Sequence, residues 1–162
     1  MNRQNLEPRH YLQAWHFLRQ LDVTPPPEKA KELYGVVVEV ALNGGLDLVA
    51  GYADFSARYY NYSGAGVVWE VRDASVDKAI QNLLNTGRAV VAKIGPWEKP
   101  RPPAPPEGQA RINMLVPSGL HFGQAPLRML ASDPVGGPVI ASALALMQEL
   151  IRMQELIKKT KK

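Results

Sequence analysis

Six of the twelve aromatic residues of this chain fall between Tyr52 and Trp69, most densely in Arg58-Tyr59-Tyr60-Asn61-Tyr62. In an extended strand alternate side chains share a face, so Arg58, Tyr60 and Tyr62 project together while Tyr59 and Asn61 project the other way. Tyrosine and arginine are enriched among the residues that dominate protein–protein binding energy. Tyrosine rings also stack on unpaired nucleobases, and under a covering helix they are simply core. The sequence leaves all three roles open to this ladder. Trp97, at the head of a proline-rich stretch, is a candidate rim for a partner bound at Arg58, Tyr60 and Tyr62.

Acid–base chemistry has fewer candidates. Two carboxylates held close together push their pKa values apart and can act as acid and base. Glu39 and Glu70 fall on strand positions that can share one face, and with His121 they define an alternative site, a pocket between sheet and helices. Against this, strand carboxylates are commonly solvated or paired, here with Arg58, Arg72 or Arg111. His121 lies between Leu120 and Phe122 and is expected to face away from the core.

Metal, nucleophile and phosphate-binding signatures are missing from the sequence. His10, His16 and His121 are the only histidines, and no pair has the i,i+4 spacing of a helical zinc site. Cysteine is absent, which removes thiolate ligands, disulfides and a thiol nucleophile. No serine sits in a Gly-x-Ser-x-Gly elbow. Ser63-Gly64-Ala65-Gly66 lacks the lysine and following hydroxyl residue of a phosphate loop and precedes a strand, so it reads as a hairpin turn. No metal, cofactor or catalytic residue is therefore expected.

Charge argues against a nucleic-acid partner. The formal net charge is +4, and Lys158, Lys159, Lys161 and Lys162 supply all of it; residues 1–157 hold fifteen basic and fifteen acidic side chains. Phosphate binding scales with the number of phosphates a basic surface neutralises, and a neutral body lacks that surface. Lysines at a helix end also face the negative pole of the helix dipole, so the basic tail 158–162 reads as a solvated helix end. The longest nearly apolar run, residues 138–147, is far short of the roughly twenty residues of a membrane helix. The first six residues lack the apolar stretch of a secretion signal. A cytoplasmic location without a membrane role is the expectation.

These residues need elements to hold them. Pro8 suits a first helical turn, and Tyr11, Trp15, Leu18 and Leu21 follow at helical spacing. Thr24-Pro25-Pro26-Pro27 ends that helix and opens a short one at 28–33. From Val36 apolar residues alternate, and Asn43-Gly44-Gly45 marks a hairpin because asparagine and glycine tolerate positive φ. Further turns at Asp54-Phe55-Ser56 and 63–66 complete a four-strand meander over 36–72. Ser75 is a plausible N-cap for a central helix, which Gly87 either interrupts or ends. Residues 96–108 carry overlapping Pro-x-x-Pro frames that can dock in aromatic grooves but serve equally as a stiff connector. A strand pair is expected near 110–123, then a short helix at 126–131. Gly136-Gly137-Pro138 reads as a hinge into a long helix over 138–158. On that helix Ala143, Leu146, Leu150, Met153 and Ile157 form a stripe. Its end, at Met153 and Ile157, is where a homodimer contact is expected.

The sequence thus describes one domain spanning 1–162, of α+β class, with an antiparallel sheet packed against N-terminal, central and long C-terminal helices. The element order is similar to that of profilin-like and roadblock-like sandwiches, a likeness of order alone that implies no activity. Complete fold signals beside missing catalytic ones point to a small non-enzymatic binding module, an accessory, adaptor or immunity-type protein acting on another protein. The competing reading is a small-molecule sensor or enzyme using Glu39, Glu70 and His121.

Overall fold

Four valines between Val36 and Val40 place a β-branched side chain on both faces of β1 (Gly35–Leu42), as suits a strand with neighbours on either side. β1 is the centre of a six-stranded antiparallel sheet of order β4-β3-β2-β1-β5-β6, with β2 Gly45–Tyr52, β3 Ala57–Tyr60, β4 Gly66–Trp69, β5 Gln109–Val116 and β6 Gly119–Pro126. The structure is a computed structural model, and it describes residues 8–160. The secretion-signal question at the first six residues and two tail lysines, Lys161 and Lys162, lie outside that range. The α+β class, the meander, the later strand pair and the long C-terminal helix all stand as expected from the sequence.

Turn chemistry sets the register. Leu42 pairs with Gly45 across Asn43-Gly44, where Gly44 has φ 90°, a left-handed conformation that glycine adopts without a Cβ penalty. Asp54 accepts from the Ser56 N–H (2.9 Å) and hydroxyl (2.7 Å) to close the β2–β3 turn. At the β3–β4 turn the Asn61 side chain accepts from the N–H groups of Ser63 (3.0 Å) and Ala65 (3.1 Å). Such side-chain-to-backbone bonds replace the ladder where the chain reverses.

One sheet face is covered by α3 (Ala74–Val91) and α5 (Gly136–Thr160), which also pack on each other. Val36, Val38, Ile112 and Met114 from the sheet meet Ile80, Leu83, Leu84, Val139, Leu146 and Leu150 from the helices, all buried in one core. The central helix continues through Gly87 without a break. A Cβ there would lie 2.5 Å from Val36 Cγ2 and 3.0 Å from Leu33 Cδ2, so the glycine is where the helix backbone comes closest to the sheet. The N-cap is Asp73 rather than Ser75: its carboxylate accepts from Ser75 N–H at 2.9 Å and Val76 N–H at 3.3 Å. Ser75 instead donates its hydroxyl to Asp73. Nor is Gly136-Gly137 a hinge. The Asp133 carboxylate accepts from Val135 N–H (2.8 Å) and Gly136 N–H (2.6 Å) and opens α5 directly.

The other sheet face is covered unevenly. α1 (Pro8–Gln20) crosses one end of it, with Arg9 over the Tyr52 ring at the end of β2, the Tyr11 and Tyr34 ring centroids 4.7 Å apart, and Arg19 donating to Pro117 O at the β5–β6 turn. The proline-rich segment lies over β5 and β6, where Trp97 meets Phe122 edge-on at 5.2 Å. The short helices α2 (Pro27–Ala30) and α4 (Leu127–Ser132) complete the connections.

Candidate functional site

The strand pairing dictates what lies beside what on the less covered face. Tyr60 pairs with Leu48, Leu48 with Glu39, Glu39 with Arg111 and Arg111 with Gln124. Directly opposed residues in antiparallel strands share a face, so this row crosses five strands from an exposed tyrosine to buried charge. The next row runs Val68, Arg58, Ala50, Val37, Asn113, Phe122.

At the β3–β4 end the rings are in solvent. Tyr60 is 41% exposed, Tyr62 60% and Val68 57%. Tyr62 sits in the turn, its N–H donating to Asp47 Oδ1 at 2.8 Å and its Cβ against Gly45, so the ring is carried on a tied backbone. Tyr59 points to the helix side and is partly buried against the core, where burial raises its hydroxyl pKa above the ordinary value. Arg58 does not join the exposed set. It is 7% exposed, and its guanidinium donates to Ala57 O (2.8 Å), Trp69 O (3.1 Å) and Glu70 Oε1 (2.5 Å). The side chain that shares the face with the tyrosines is thus committed to holding β3, β4 and the start of the next segment together. Val68, in register with Arg58, takes its place on the surface.

Trp97 is on the same face but at the opposite side, with β2, β1 and β5 between its partner strand β6 and Tyr60. It therefore does not rim the tyrosine patch. Its N–H donates to Leu120 O (2.7 Å) and its indole Nε1 to Pro100 O (3.0 Å). The proline-rich segment reads as a fixed strap rather than a free ligand for a groove. Arg111, 2% exposed, donates from Nη2 to Pro103 O and, through Nε and Nη2, to Gln124 Oε1 at 2.8 and 2.7 Å.

Glu39, Glu70 and His121 are not brought together. Glu39 is buried under the strap, 3.6 Å from Arg111 Nη1 and 3.8 Å from Arg101 Nη2, and accepts from Asn113 Nδ2 at 3.0 Å. Glu70 is beyond β4, with β3 and β2 between that strand and Glu39 on β1, and is paired with Arg58. His121 is on the helix face, which corrects the expectation that it faces away from the core: it is completely buried. The two-residue turn Pro117-Ser118 pairs Met114 with His121, and because Met114 is in the core the ring opposite must be there too. Leu120 and Phe122 are apolar because they pack on the other face, toward the strap.

Burial holds His121 below the ordinary histidine pKa of 6.5; the Gly119 carbonyl opposes this, and Lys31 and Arg19 reinforce it. Nδ1 lies 3.1 Å from Gly119 O. A histidine that resists protonation only when folded contributes stability that is complete above the unfolded pKa and is lost as pH falls through the folded one. The protein should therefore lose melting temperature as pH is lowered from 7 toward 5. His121→Gln should flatten that slope; an unchanged slope would assign it to other groups.

Among the described residues no group of three or more His, Asp or Glu side chains is arranged to hold a metal ion, and no helix is long and apolar enough to cross a membrane. No protein-family model, curated protein or solved structure matches this chain. The residues themselves carry the functional reading. Val68 was legible in the strand alternation; the commitment of Arg58 to its neighbours was not, because it depends on which carbonyls surround the guanidinium.

Proposed function

We propose that the protein is a small non-enzymatic binding module, of accessory, adaptor or immunity type, that works in the cytoplasm by stoichiometric contact with another protein. The observation that supports this reading is the joint exposure of Tyr60, Tyr62 and Val68 at the β3–β4 end of a sheet face whose other side is covered. Large amphipathic rings on a tied backbone lose little conformational entropy on binding, which is why such residues dominate interfaces. The reading includes a homodimer through the end of α5, where Ile157 is exposed together with Leu156; Met153, expected beside Ile157, instead packs partly buried against the core.

The test is the double substitution Tyr60→Ser with Tyr62→Ser. Both rings are at the surface, where substitutions away from packed features change stability by about 0.5 kcal/mol or less. The melting temperature should stay near the native value. A protein captured stoichiometrically from the native host by the tagged chain should be lost from the double variant. Retention of that protein, or a drop of many degrees in melting temperature, would sink the reading.

A further inference from the structure

Beside the strap lies a cleft of about 660 Å³ that the tyrosine face does not share. One wall is the second half of α1, with Leu12, His16 and Arg19; the other is the first part of the strap, with Trp97, Lys99 and Arg101. The ends of β5 and β6 form the floor, Leu120 among them. Its size lies within the roughly 300–1,000 Å³ of small-molecule sites.

The strap wall is preorganised. Both N–H groups of Trp97 are used internally, on Leu120 O and Pro100 O, and its ring rests against Phe122. Prolines at 96, 100, 102 and 103 restrict φ along the same stretch, and Arg111 anchors it at Pro103. Trp97 held in this way is 40% exposed, and its backbone and indole N–H stay fixed when a flat apolar group meets the ring. The α1 wall is fixed to the floor by Arg19, which donates to Pro117 O.

Charge selects among the ligands that fit. Arg19, Lys99 and Arg101 line the cleft with one acid, Glu98, and Arg101 also faces Glu39 at 3.8 Å; three cations against two acids leave the cleft net positive on a body that is neutral over residues 1–157. Lys99 Nζ lies over the Trp97 ring, 5.6 Å from its centroid, so an incoming ring displaces this cation toward the carboxylate it carries. We propose that this cleft binds a small organic anion, a carboxylate on a flat aromatic body, with the ring on Trp97 and the carboxylate toward the cations of the two walls. This goes beyond the protein-contact reading and does not depend on it.

2-Naphthoate is a suitable probe, with its neutral amide as control, read on the full chain by the NMR shift of the Trp97 indole N–H. Naphthoate should shift that resonance with a dissociation constant below about 1 mM, within the range expected for a ligand of this size. The amide should bind about tenfold more weakly. Lys99→Glu, at an exposed side chain, should weaken naphthoate about tenfold and leave the amide unchanged. The Tyr60→Ser, Tyr62→Ser variant should bind naphthoate like the native chain, so failure here and failure of the protein-contact reading are separate results. Equal affinity for acid and amide, insensitivity to Lys99→Glu, or no shift at 5 mM naphthoate would each overturn the proposal. So would a six-residue peptide of alternating aspartate and phenylalanine that displaced naphthoate at much lower concentration, since it would make the cleft a peptide site.

Discussion

Arg111→Ala should destabilise the protein by about 3–5 kcal/mol, the loss typical when one partner of a buried charge pair is removed. Three structural consequences act together. Glu39 stays buried with only Asn113 and the exposed Arg101, 3.8 Å away, to face it. Gln124 Oε1 loses the two guanidinium bonds it accepts. The strap loses its anchor at Pro103. Natural domains are stable by only about 5–15 kcal/mol, so the variant should unfold at markedly lower urea concentration. Changing Arg111 and Glu39 together to methionine should cost far less, because no uncompensated charge is left behind. A loss below about 1 kcal/mol for Arg111→Ala would mean that water reaches the site and solvates Glu39.

Leu146→Ala should cost about 2–5 kcal/mol, the range for deleting a fully buried leucine and leaving a partly collapsed cavity. Leu146 is completely buried on α5. Its Cδ2 lies 3.3 Å from where a Cβ would stand at Gly51 of β2, beside Leu83 Cδ2 at 3.2 Å, so two helices meet the sheet over this glycine. Neither helix can move into the gap without leaving its other contacts. The comparison is Leu144→Ala, two residues earlier on the same helix but half exposed, which should change stability by about 0.5 kcal/mol or less. Similar losses from both would show that α5 is not seated on the sheet through Leu146.

Which features were legible in the sequence follows from how local their causes are. The meander came from alternation and from Asn43-Gly44, a turn whose φ requirement is met by the residues at the turn itself. The stripe on α5 was legible for the same reason, with Ala143, Leu146 and Leu150 buried as their spacing requires. The placement of β5 beside β1 was not legible, because nothing in residues 35–42 specifies a partner so distant in the chain. His121 was misplaced because Leu120 and Phe122 have the apolar character of core residues, whereas the strap supplies a second apolar environment on the opposite face. At the candidate site, the sharing of a face by Tyr60 and Arg58 was readable, but the burial of one and exposure of the other depends on Ala57, Trp69 and Glu70 closing around the guanidinium.

The central position of β1 has a consequence for how the chain reaches this state. Its hairpin with β2 can close early, since only two residues separate them, but its other edge is filled by β5, after the whole of α3 and the strap. Non-local pairing of this kind slows folding, because the loop must close before the contacts reward it. During synthesis the valine-rich edge of β1 is therefore open until residue 116 is available, and the leucines of α5 that cover the sheet arrive later still. Exposed strand edges of this sort are where partly folded chains associate. The vulnerable species is thus the nascent meander, and crowding or slow elongation between residues 70 and 116 is where yield of the folded protein will be decided.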